Sequence, residues 1–176
     1  MHHRRRFLRT LATAAPLAAF PGKALAAMRR PRVLALAHLH TAETLKVEYG
    51  DADRYFPDAL AAVNKLLRDF RTGDVHDIDP ALLDLLAALR ARTGTATPFQ
   101  VISGYRSPQT NAMLHRRSPG VASGSFHMKG QAIDIRLGDV SLGALRNAAL
   151  DLGLGGVGYY PSSNFVHVDT GPIRTW

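Results

Sequence analysis

The segment SFHMKGQAIDIRL, residues 125–137, carries the tightest constraint in the chain. Ile133, Ile135 and Leu137 alternate with Ala132, Asp134 and Arg136, which is the period of a β-strand with one apolar face. A carboxylate in the middle of such a strand is costly to bury unless a cation meets it. That cation can be an arginine, a histidine or a metal ion. Arg136 lies on the same strand face, and His127 stands just before the turn at Lys129-Gly130 that leads into the strand. The fold must therefore supply a sheet with a polar cluster on one of its faces.

The chain has 176 residues, enough for one domain with its own core and too few for two ordinary ones. It has no cysteine, so a disulfide framework, an iron–sulfur site and thiolate ligands are excluded; any metal is held by His, Asp or Glu. A formal charge of +8 would suggest a nucleic-acid partner, but much of it sits at the start. There, Arg4-Arg5-Arg6 and Phe7-Leu8-Arg9 precede an Ala/Leu-rich stretch and a small-x-small site, Ala24-Leu25-Ala26. This layout is that of an export signal over residues 1–26, and it resembles the twin-arginine type, with His3 where that pattern more often has Ser or Thr. Pro16 and Pro21 interrupt the short apolar run, so a permanent membrane span is not expected. Cleavage after Ala26 takes five of the 22 basic residues and leaves 17 against 14 acidic ones, a net +3 over residues 27–176. The case for nucleic acid goes with the leader. The expected location is the periplasm, reached in the folded state.

In the mature stretch, RVLALAHLHTAETLKVEY reads as two strands around a turn, the second showing Thr44, Lys46 and Glu48 to water. Leu60, Val63, Leu67 and Phe70 have helical spacing, with Gly73 past the end. A second helix starts at Asp79-Pro80 and closes at Gly94. FQVIS is a short strand, Ser107-Pro108 opens a brief helix through Leu114, and HRRSPGVASGS is loop. After QAIDIRL come a helix, SLGALRNAALDLG, and two strands, GGVGYY and NFVHVDT. Helices lead and strands follow, which predicts an α+β domain with a small antiparallel sheet packed on helices.

On NFVHVDT, Phe165, His167 and Asp169 point away from Val166 and Val168. If this strand pairs beside QAIDIRL, one face presents Asp134 and His167 together, and His127 can fold over the same spot. Two imidazoles and a carboxylate suit a tetrahedral zinc with one open position. A water held at that position has its pKa lowered towards ~7. The alternatives are a capping His127, an Asp134 paired with Arg136 and a hydrogen-bonded core His167.

SGYRSPQTNAML, SFHMKGQAIDI, GGVGYY and FVHVDTGPIRTW, in that order, resemble the signature of the M15-type zinc peptidases, and most nearly their exported murein endopeptidase K branch. The resemblance runs from about His38 to Trp176. It implies the fold shared by D-Ala-D-Ala carboxypeptidases and the hedgehog zinc domain, one Zn2+ per chain, and His127, Asp134 and His167 as ligands. It places Ser125 in the ligand motif and Arg106 opposite the substrate or the charge developing on its carbonyl. Both are assigned to substrate binding, and Arg106 to catalysis as well. Related dipeptidases carry a glutamate base three residues before the last histidine; here Asn164 stands there. Asp169 is the substitute candidate, with orientation of His167 or pairing with Arg174 as its other role; His115 and His76 are further candidates. The implied activity is cleavage of peptidoglycan cross-bridges by a monomer. D,D-carboxypeptidase trimming, L,D or D,D specificity and a non-catalytic zinc-containing binding module stand as the alternatives.

Overall fold

Alternation at the start of the domain builds a hairpin, β1 (Arg32–His38) with β2 (Thr44–Gly50), in which Leu34 and Leu36 are buried while Thr44, Lys46 and Glu48 face water. The structure, a computed structural model, describes residues 31–118 and 120–176. The leader expected over residues 1–26 lies outside them.

Two helices follow, α1 (Pro57–Leu66) and α2 (Pro80–Thr93). The Asp79 side chain accepts from Ala81 N at 2.9 Å and Gly94 closes α2 at φ 67°, both where the capping residues predict. The α1 spacing extends to Phe70, yet the helix stops at Leu66. The reason is Asp69: its carboxylate accepts from Arg71 N at 2.9 Å, its carbonyl accepts from Gly73 N at 2.7 Å, and the chain turns there instead of continuing. After β3 (Phe99–Ser103), Ser107 caps α3 (Pro108–Arg117), which runs three residues past the expected Leu114. A 3-10 turn, Phe126–Lys129, leads into β4 (Ala132–Arg136). Then come α4 (Leu142–Leu152), β5 (Gly156–Tyr160), β6 (Phe165–Asp169) and a two-residue strand, β7 (Arg174–Thr175), that the pattern does not announce.

The strands form one sheet in the order β2-β1-β3-β4-β6-β5-β7. It is mixed, which corrects the antiparallel expectation: β1 pairs with β3 and β5 with β7 in parallel. The first follows from the long crossover through α1 and α2, which returns the chain to the same end of the sheet. The second follows from the crowding of β6, whose edges are taken by β4 and β5, so that β7 uses the free edge of β5.

Register assigns each face its chemistry. Val101 pairs with Ile135, Ile135 with Val166, and Ile133 and Val157 with Val168, making an apolar face covered by leucines of α2 and by Leu145, Ala148 and Ala149 of α4. The opposite face carries Asp134, His167 and Asp169. Among the described residues no helix is long and apolar enough to cross a membrane.

Candidate metal centre

Asp134 and His167 are direct cross-strand partners on β4 and β6, as the alternation of both strands predicts. His127 arrives from the 3-10 turn, which Ser125 caps by accepting from His127 N at 3.4 Å. Gly130 ends this turn in the left-handed region at φ 66°, and a side chain there would collide with the Asp77 carbonyl.

Each imidazole has one nitrogen committed elsewhere. His127 Nδ1 lies 2.7 Å from the Gly104 carbonyl oxygen, an acceptor only, so Nδ1 carries the proton and donates. His167 Nε2 lies 2.9 Å from Asp169 Oδ2 and donates in the same way. The Asp169 carboxylate is completely buried and also accepts from Arg174 Nη2 at 2.6 Å, Arg174 Nη1 at 3.1 Å, Gly156 N at 3.1 Å and Gly171 N at 2.9 Å. This chain of bonds sets the tautomer of His167.

What remains are three bare acceptors. His127 Nε2 and His167 Nδ1 lie 3.2 and 2.9 Å from Asp134 Oδ1, and 3.2 Å from each other. Three lone pairs converging this closely in a buried place repel unless a proton or a cation joins them. His127, Asp134 and His167 are, among the described residues, the one group of three such side chains able to bring ligand atoms within 4.8 Å of one another. The electrostatics agree. Burial pushes the His127 pKa down and keeps the ring neutral. Burial opposes the charge on Asp134, and what holds its carboxyl well below the usual range is a proton at His127 and His167, whose place a bound cation would take. Burial also opposes charge on His167, while hydrogen bonds to Asp134 and Asp169 raise its pKa, so a proton there substitutes for a cation.

Arg106 follows β3 and is buried beside this group. Its Nη2 lies 3.5 Å from Asp134 Oδ2, and its Nε has no partner among the described residues. Its backbone N–H donates to the His127 carbonyl at 3.2 Å, tying the two segments together. Asp69 holds the neighbouring Ser107 by accepting from both its N (2.9 Å) and its Oγ (2.7 Å). Burial opposes the Asp69 charge, yet bonds from Thr110, Ser107 and backbone N–H groups bring its pKa down to about 2. A cavity of about 550 Å³ opens over the group, with Arg106, Ser125, Phe126, Tyr160, Phe165 and Trp176 in its wall.

The other sequence candidates lie apart. Asn164 is exposed at φ 54°, a left-handed turn position that asparagine tolerates, and does not line the cavity. His115 and His76 are exposed; the first contacts the Val121 carbonyl and the second stacks on Tyr105. Arg136 turns to Gln100, at 2.7 Å, instead of Asp134. Sequence reasoning missed Asp69, Tyr160 and Trp176. Of these, Tyr160 and Trp176 stand at the ends of the GGVGYY and FVHVDTGPIRTW segments, which was the signal that could have found them.

A buried His-Asp-His set beside an arginine, under an open cavity, offers the donors that a mononuclear metal site with two histidines and one carboxylate would use. The chain belongs to the M15 peptidase family described as Peptidoglycan L,D-endopeptidase MepK, whose model matches residues 26–176. It is 47% identical over 176 residues to "Peptidoglycan L,D-endopeptidase MepK" of Escherichia coli (strain K12), covering 99% of this chain and 97% of that protein. It is 44% identical over 154 residues to "Probable peptidoglycan L,D-endopeptidase MepK" of Haemophilus influenzae, covering 87% and 83%. The chain is thus a peptidase, which decides against the reading as a binding module.

Proposed function

We propose that this chain is a zinc-dependent murein endopeptidase that hydrolyses L,D peptide bonds in peptidoglycan cross-bridges. Its zinc ligands are His127 Nε2, His167 Nδ1 and an Asp134 oxygen. The observation that carries this reading is the convergence of an Asp134 oxygen with two imidazole nitrogens whose rings have their one hydrogen committed elsewhere, to Gly104 and to Asp169. Two neutral imidazoles, a carboxylate and no thiolate fit zinc. The ion supplies Lewis acidity and a bound water whose pKa it lowers towards ~7.

The chain's own residues do the rest. Arg106, buried with an unpartnered Nε, receives the carbonyl oxygen of the scissile bond and stabilises the charge that develops on it. Ser125 holds the His127 turn and lines the cavity where the peptide lies. Asp169 acts through His167: five donors fill its two oxygens, leaving it the orienting role and not that of a free base. The preference for L,D bonds rests on the names of the relatives. The sheet is read as the fold shared with D-Ala-D-Ala carboxypeptidases and the hedgehog zinc domain. Residues 1–26 act as an export leader of twin-arginine type, placing the mature monomer in the periplasm beside its substrate.

The test is chromatography of cross-linked muropeptides after incubation with the mature protein, with and without a chelator, alongside its zinc content. Chelator-sensitive conversion of dimers to monomers at an L,D bond is expected. Stoichiometric zinc with no product from any muropeptide would overturn the reading.

A further inference from the structure

Two glycines on β5 mark a second piece of machinery on the site face. Gly158 pairs with His167, and a Cβ on it would stand 2.7 Å from the Trp176 ring; a Cβ on Gly156 would stand 2.6 Å from Arg174 Nη1. The bare strand thus lets Arg174 and Trp176 lie against the sheet beside the ligands. The Trp176 ring centre is 5.2 Å from that of His167, and its Nε1 donates to Tyr160 Oη at 2.6 Å. Tyr160 is the next residue on the same face of β5, stacked on Phe165 with ring centres 4.5 Å apart. Its ring and its oxygen are therefore both fixed. Because the oxygen accepts from the indole, the hydroxyl hydrogen is free to donate, and no acceptor among the described residues takes it. Tyr160 lines the cavity with Arg106, in which Asp134 is the one carboxylate among the described lining residues. A donor held in this way suits an oxygen that gains negative charge, not a group that must be deprotonated.

We propose that Tyr160 is a catalytic residue whose hydroxyl, anchored by Trp176, donates to the carbonyl oxygen of the scissile peptide bond opposite Arg106. This rests on the peptidase reading above. The test compares wild type, Tyr160→Phe and Trp176→Phe on cross-linked muropeptide dimers, measuring kcat, KM and bound zinc. For Tyr160→Phe, kcat falls by ~10²-fold with KM and zinc stoichiometry unchanged. Trp176→Phe, which keeps a ring and loses the N–H, shows a smaller loss of kcat with zinc retained. Wild-type kcat in Tyr160→Phe, a loss confined to KM, or a loss of zinc would each overturn the catalytic role, and wild-type kcat in Trp176→Phe would overturn the anchoring. A wild-type protein that cleaves no muropeptide overturns the peptidase reading and this role with it. An active wild type beside an equally active Tyr160→Phe overturns this role alone.

Discussion

Asp84 on α2 and Asp134 on β4 are both carboxylates reached by several partners, and they are reached in opposite ways. Asp84 stands at the solvent edge, where Tyr49 Oη, Tyr55 Oη and Arg32 Nη1 donate to it at 2.9, 2.6 and 3.2 Å. Every partner brings a hydrogen, so the cluster is complete as it stands. Asp134 is buried, and two of its neighbours are the bare nitrogens of imidazoles whose one proton, on the opposite ring nitrogen, is spent on Gly104 or Asp169. Its one full cation, Arg106, stays 3.5 Å away. A polar cluster whose donors match its acceptors needs nothing further; one with an excess of acceptors in a buried place calls for a cation. That difference, not the number of contacts, separates a structural carboxylate from a ligand.

The largest effect is expected from Asp134→Ala. Zinc retention and hydrolysis should both disappear, and a variant that keeps full zinc content would remove Asp134 from the ligand set. Arg106→Ala comes next. It should leave zinc bound and lower kcat by ~10²–10³-fold, because the lost donor acts on charge that exists only in the transition state. An unchanged kcat would make Arg106 a partner of Asp134 and nothing more.

The juxtaposition of Asp134 and His167 was legible in the sequence, because strand alternation is local. Ile133 and Ile135 set the face of Asp134, Val166 and Val168 set that of His167, and antiparallel pairing brought the two opposite each other. Helix α2 was legible for the same reason, with Asp79 and Gly94 acting on their own neighbours. What escaped was set by distant partners. The α1 spacing is overridden at Asp69 by a turn whose carboxylate binds Ser107, 38 positions away. The parallel pairing of β1 with β3 depends on where a crossover of two helices lands, and β7 is too short to show a period. Trp176 therefore gave no sign that it would lie over Gly158 and hold Tyr160.

Asp69 tests whether burial alone makes a carboxylate a ligand. It is as hidden as Asp134, but its partners are donors. Its pKa falls from the ordinary 3.8 to about 2, so its charge contributes stability that is complete above 3.8 and lost as the pH drops through about 2. Asp69→Asn should keep its zinc. It should be less stable than wild type by about 1–3 kcal/mol near neutral pH, with the gap closing through that acid window in denaturant titrations. A gap that stays constant down to pH 2 would show that the charge is not what the Ser107 bonds recognise.

The smallest effect belongs to Asp84. Its side chain keeps 40% of its exposure and Arg32 keeps 31%, so solvent screens the pair and replaces what is lost. Asp84→Asn retains an acceptor for Tyr49 or Tyr55 and should lower stability by only about 0.5–1.5 kcal/mol, with zinc content and kcat at wild-type values. Asp84 lies on the helix side of the sheet, and no hydrogen bond leads from its cluster to His127, His167 or Arg106 among the described residues. A fall in kcat in this variant, with stability intact, would mean that the two carboxylates communicate through the sheet, and the separation drawn between them would fail.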